Sequence, residues 1–170
     1  AVLRYDDRGI NQSTGDYAQA TSADFATDAN AAFAYLTTRP EIDHDAIGFG
    51  GHSEGGLIGP IAINDNQNVA FMVMLAGPGT PALKIIESQN RLIAQSQGAD
   101  EEEISKSVEL SMMISRAAAA STSAEDAEAR IRAIMTPEVL AEFGVDESRI
   151  ESAVAQSSTP WTRYFLKYDP

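Results

Sequence analysis

The chain has 170 residues, with 12 basic and 25 acidic side chains, two histidines and no cysteine. Without cysteine these residues carry no disulfide scaffold, thiolate metal site, iron–sulfur cluster or cysteine nucleophile, and a formal net charge of −13 argues against a nucleic-acid partner, which needs a basic patch to displace counterions. The length suffices for a core that buries roughly two-thirds of the unfolded surface, a hydrophobic fraction of 44% is that of a folded chain, and the longest apolar run, 69–76, is too short to span a bilayer.

The opening residues 1–6 (AVLRYD) read as a strand already under way, and nothing there resembles a signal peptide. A loop over 7–21 follows, rich in the turn formers Gly9, Asn11, Ser13, Thr14, Gly15 and Asp16. Phe25, Ala29, Ala32, Phe33 and Leu36 then recur on one face of an amphipathic helix, with Thr21 or Ser22 as its N-cap. Arg39-Pro40 ends that pattern, because proline disfavours helical geometry in the residue before it. Residues 46–51 and 69–76 read as strands, and 54–64 as the helix between them. The second run (VAFMVMLA) has no polar alternation, which suits a strand buried on both faces of a parallel sheet. From about residue 80 the pattern is helical, marked by Leu83, Ile86 and Ile93, then Ile104, Val108 and Met112, then Ala127, Ile131, Ile134 and Met135. Asp100 with Glu103, and Thr122 with Glu125, have capping-box spacing. The acidic cluster 100–103 suits a solvated helix N-terminus.

Gly51-His52-Ser53-Glu54-Gly55 matches G-x-S-x-G, a pattern that composition alone produces in roughly one chain of this length in twenty. Its placement is more informative than the pattern. It falls where a predicted buried strand turns into a predicted helix, so the serine hydroxyl stands out at the sheet edge and residues larger than Gly51 and Gly55 are expected to clash. At the N-terminus of that helix the backbone N–H of Glu54 is placed to donate to an oxyanion, aided by the helix dipole. A simpler reading is that Ser53 only caps a helix in a glycine-rich turn.

GHSEGG after a strand, preceded by RYDDRGINQSTG and a helix and followed by AFMVMLAGPG, resembles the α/β-hydrolase superfamily, and within it the bacterial carboxylesterases of the serine aminopeptidase/dienelactone-hydrolase-like group. The resemblance covers residues 1–80 well, and the closing WTRYFLKYDP is similar to the stretch where those esterases return from a helical cap to the core. It implies a partial α/β-hydrolase core over 1–80 with a doubly wound, mostly parallel sheet, a helical cap inserted at 81–159, and the start of the return over 160–170. It also implies Ser53 as nucleophile, Glu54 N–H as one oxyanion donor, a small-molecule ester substrate and no cofactor or metal. Asn11 stands where the family's R-G-x-G-x-S segment has glycine, and asparagine is the side chain that best tolerates positive φ. Arg8 is expected to fix the loop through a salt bridge to Asp6 or Asp7.

A serine hydroxyl needs a base, and the base an orienting carboxylate. His44 precedes the strand that ends at Ser53, so about six residues of strand at ~3.3 Å each put it at the opposite end of the sheet. His52 adjoins Ser53, but a tight elbow directs successive side chains apart, and the resemblance implies packing for a histidine there. Neither is expected to be the base. The chain order in this fold places acid and histidine after the nucleophile, so both are expected beyond Pro170, with a further oxyanion donor before Ala1. The expected reaction is hydrolysis of a carboxylic ester through an acyl-enzyme on Ser53. A peptidase or acyltransferase of the same fold, a non-catalytic binding protein and a helical interaction module over 80–160 are the competing readings. The sequence indicates neither oligomeric state nor compartment.

Overall fold

The computed structural model describes residues 1–170 and divides into two compact units, Ala1–Gly79 with Pro170, and Thr80–Asp169. The first contains helix α1 (Ser22–Leu36), strand β1 (Phe49–His52), helix α2 (Gly55–Asp65) and strand β2 (Met72–Leu75). The strands pair in parallel, with Phe49 opposite Met72 and His52 opposite Leu75.

α1 begins as its sequence dictates. Thr21 is the N-cap, and Asp24 closes a capping box with it, so two of the amides that helix geometry leaves without partners are satisfied reciprocally. Phe25, Ala26, Ala29 and Phe33 are the buried apolar side chains of the helix. Ala26 and Ala29 meet Ala62 of α2, with Phe49, Ile58 and Ile61 packed around them, and Phe33 meets the Phe49 ring edge-on at 6.1 Å. Two hydrogen bonds fix the register of the helix pair. Ser22 Oγ donates to Glu54 Oε1 at 2.7 Å, and Asn30 Nδ2 donates to the Ala62 carbonyl at 3.0 Å. The same eight-residue step along each helix, about 12 Å of rise, shows that α1 and α2 run parallel.

The sheet corrects two expectations. The 69–76 run is not buried on both faces: Phe71, Val73 and Leu75 are 54%, 50% and 58% exposed. Phe49 and Met72 are register partners and face the helices, whereas the alternate set on β2 has no helix over it. A continuous apolar run states what a strand tolerates on each face; burial requires elements to cover it. Residues 1–170 therefore form a mixed α/β fold of many helices and a small two-stranded parallel sheet, which the helices cover on one face. Residues 1–6 form no strand, since the sheet consists of β1 and β2 alone and Val2 is 88% exposed.

The second unit is entirely helical: α3 (Ala82–Ser96), α4 (Glu101–Ala119), α5 (Ala124–Ile134), α6 (Pro137–Phe143), α7 (Arg149–Ser157) and α8 (Pro160–Lys167). α4 is its centre, packed against α3, α5 and α8. Its buried face, Ile104, Val108 and Met112, takes Leu83 and Ile86 of α3. Asp100 and Glu103 form the expected capping box. For α5 the cap is Ser123, not Thr122, because Ser123 accepts from the Asp126 amide while the Asp126 carboxylate takes the Thr122 amide. Ala127, Ile131 and Met135 are buried, but Ile93 is 47% exposed. Residues 160–167, as α8, pack on α3 and α4, and Lys167 Nζ donates to the Ser121 carbonyl at 2.7 Å. No helix is long and apolar enough to cross a membrane.

Candidate active site

Ser53 is the single residue between the end of β1 and the Glu54 N-cap of α2. Its φ is +54°, a left-handed conformation that costs an L-residue roughly 1–2 kcal/mol. Two backbone bonds hold it there: Ser53 N–H donates to the Leu75 carbonyl at 2.9 Å, continuing the ladder with β2, and the Gly56 N–H donates to the Ser53 carbonyl at 2.9 Å. The strand thus runs straight into the first turn of the helix, and the serine side chain is exposed at the join.

The glycines around this turn differ in their reasons. A Cβ on Gly51 would run into the carbonyl group of Gly55, so the strand can pass the helix start only as glycine. Gly55 has open space where a side chain would be and no positive φ, which corrects the expectation that both motif glycines are sterically required. The second close approach lies one residue on. A Cβ on Gly56 would meet Gly77 Cα, bringing α2 against the chain that leaves β2, where Ala76 also has positive φ, +51°. Gly59, one turn later, faces the end of the Met72 side chain. Gly56 and Gly59 were missed from sequence, although two glycines three apart at the start of a helix are a legible sign of close packing.

Glu54 is half-buried. Its carboxylate makes no capping bond to its own helix and instead accepts from the Ser22 hydroxyl of α1. The rim loop is also tied to α1. Arg8 Nε donates to Asp28 Oδ2 at 2.8 Å and Arg8 Nη2 to the Asp24 carbonyl at 2.7 Å, with Asp24 Oδ1 3.4 Å from Nη1. Its partners are therefore Asp24 and Asp28, not Asp6 or Asp7, because two carboxylates one helical turn apart on α1 offer the planar guanidinium several acceptors at once. The bond to Asp28 raises the Arg8 pKa. The Thr21 hydroxyl and amide, with Arg8 adding to them, hold the Asp24 carboxyl below its ordinary value. Asn11 adopts φ +48° within a loop closed by Gly9 N–H to the Thr14 carbonyl at 3.2 Å.

The structure places neither histidine as a partner for Ser53. His44 lies in a short 3-10 helix (His44–Ala46) before β1, its Nε2 3.2 Å from the Arg39 carbonyl. His52 is the last residue of β1, and consecutive side chains on a strand point to opposite faces. No group of three or more His, Cys, Asp or Glu side chains is arranged to hold a metal ion.

A family comparison matches residues 29–159 to "BAAT / Acyl-CoA thioester hydrolase C terminal". No curated protein and no solved structure matches the chain. The match runs from within α1, through the Ser53 turn, to Thr159, the N-cap of α8, and covers most of the chain. The chain belongs to the BAAT / acyl-CoA thioester hydrolase C-terminal family, a hydrolase family of the α/β-hydrolase type.

Proposed function

We propose that the protein carrying this chain is a serine hydrolase in which Ser53 takes an acyl group from a carboxylic ester or thioester and passes it to water. Ser53 Oγ attacks the acyl carbonyl carbon while a base removes its proton. Collapse of the tetrahedral intermediate breaks the bond to the leaving oxygen or sulfur, which receives that proton. Water then attacks the acyl-enzyme, releasing the carboxylic acid and regenerating the hydroxyl. The N–H of Glu54, adjacent to Ser53 at the start of α2, is proposed as one oxyanion donor, favoured by the dipole of an 11-residue helix. Base and acid are proposed to come from outside residues 1–170, on the placement of His44 and His52.

The observation that carries this reading is Ser53 at φ +54° between a parallel strand and a helix, because a serine that merely caps a helix takes an extended backbone and has no need of strain. The family description favours an acyl-CoA thioester over an oxygen ester; the resemblance of the GHSEGG segment to serine aminopeptidase/dienelactone-hydrolase-like carboxylesterases favours the ester. We propose the helical unit, 81–159, as the cap that selects the acyl or leaving group.

The test uses the complete gene product. A fluorophosphonate probe should label Ser53, and Ser53→Ala should abolish labelling together with release of p-nitrophenol from short-chain esters and of free thiol from acyl-CoA. Faster release from one substrate class fixes the leaving group. Labelling at another residue, or hydrolysis that survives Ser53→Ala, refutes the assignment.

A further inference from the structure

We infer that Ala76 is a specificity-determining residue for the reaction at Ser53: its methyl group stands beside the serine, at the end of the neighbouring strand, and limits the branching that an acyl group can carry next to its carbonyl. The inference rests on the acyl-transfer reading and adds to it a residue that the reaction itself does not use.

Three observations place Ala76 there. First, the register pairs His52 with Leu75, and the next rung is also made, since Ser53 N–H donates to the Leu75 carbonyl at 2.9 Å. Ala76 is thereby the residue opposite Ser53, one strand spacing of about 5 Å away. Secondly, the two share a backbone distortion. φ is +54° at Ser53 and +51° at Ala76, and with Asn11 they are the non-glycine residues of positive φ in the chain. Register partners present their side chains on the same face of a sheet, and a like turn about N–Cα at both keeps their Cβ atoms neighbours. Both residues are exposed. Thirdly, Ala76 is fixed from either side. The Leu75 carbonyl before it is bonded to Ser53, and Gly77 after it lies so near the first turn of α2 that a Cβ there would stand 2.9 Å from Gly56 Cα.

The consequence is steric. In open α/β sheets ligands bind outside the carboxyl ends of the strands, which is where Ser53 and Ala76 stand. Glycine would take a left-handed φ without the penalty that alanine incurs, and a residue kept in such a conformation points to a use for its side chain. Once Ser53 Oγ has attacked, the acyl carbon is bonded to it, so the substituents nearest that carbon come within reach of a methyl about 5 Å from the serine. The far end of a linear chain does not. The acyl group also stays on Ser53 through both half-reactions, whereas the leaving group departs after the first. Selection at Ala76 therefore acts against branching beside the carbonyl and spares linear chains.

The experiment uses the complete gene product and p-nitrophenyl esters that share one leaving group: acetate, butanoate and the branched 2,2-dimethylpropanoate. Ala76→Gly removes the methyl and the strain together, and Ala76→Asn adds bulk with a side chain that tolerates positive φ. The readout is kcat/KM for the branched ester relative to acetate, a ratio that a uniform loss of activity does not move. Ala76→Gly should raise this ratio by about 10-fold or more and Ala76→Asn should lower it by about 10-fold or more, as expected for one carbon group too few or too many in a pocket. Butanoate relative to acetate should move less than about threefold in both. A branched-to-acetate ratio within about threefold of the parent in either variant, or one that moves the same way in both, overturns the inference, as does butanoate following the branched ester. Hydrolysis that survives Ser53→Ala overturns the acyl-transfer reading itself, so the two failures are distinct.

Discussion

The left-handed backbone at Ser53 makes a prediction about stability that does not depend on any substrate. Replacing Ser53 by alanine removes the hydroxyl and keeps the strain, because any Cβ at φ +54° crowds the following carbonyl at a cost of roughly 1–2 kcal/mol. Replacing it by glycine removes hydroxyl and strain together, at an entropic cost of about 0.5–1 kcal/mol in the unfolded chain. Ser53→Gly should therefore be more stable than Ser53→Ala by about 0.5–1 kcal/mol. A control at Ala31, exposed in α1, should show the reverse, with Ala31→Gly less stable than the alanine by about 1 kcal/mol. The assay is native-state hydrogen exchange of the α1 and α2 amides, which reports the first unit separately from the helical one. If Ser53→Ala is as stable as Ser53→Gly or more so, the turn is not strained and the argument from backbone geometry to a nucleophile elbow fails.

Other substitutions test the supports of this turn. Gly51→Ala should destabilise the first unit by about 1–3 kcal/mol or more, since the carbonyl of Gly55 occupies the space its Cβ needs, whereas Gly55→Ala, with open space, should lie within about 1 kcal/mol of the parent in the same exchange measurement. Arg8→Ala removes the bonds to Asp24 and Asp28; with these side chains 24%, 42% and 27% exposed, the cost should be only about 1–2 kcal/mol, read as faster proteolytic cleavage within 9–20. The depressed pKa of Asp24, owed first to the Thr21 hydroxyl and then to the Thr21 amide, gives a pH dependence. Its stabilisation is complete above the unfolded aspartate pKa near 3.9 and is lost as pH falls through the lower folded value, so Asp24→Asn should flatten the acid limb of α1 protection below about pH 4. Ile131→Ala, from 0% exposure, should cost about 2–5 kcal/mol, read as lost protection in α4 and α5.

The local elements were legible in the sequence because each is decided by a short window. The apolar spacing from Phe25 to Leu36, the Asp100–Glu103 capping box and the helical character after residue 80 depend on side chains a turn or two apart, and the G-x-S-x-G spacing at the end of a strand located the exposed serine. What the sequence could not decide were contacts between distant segments. Which carboxylates Arg8 reaches depends on where α1 lies, so Asp24 and Asp28 replaced the neighbours Asp6 and Asp7. Whether β2 is covered on both faces depends on the number of packed helices, not on its own apolarity. Which glycine is required depends on the backbone that passes it, which separates Gly51 and Gly56 from Gly55. The bond from Ser22 to Glu54 spans 32 residues and exists because α1 and α2 pack parallel in one register. A sequence determines its helices, caps and turns through local geometry; the partners of a buried hydroxyl or a surface charge are chosen only when packing brings separate elements together.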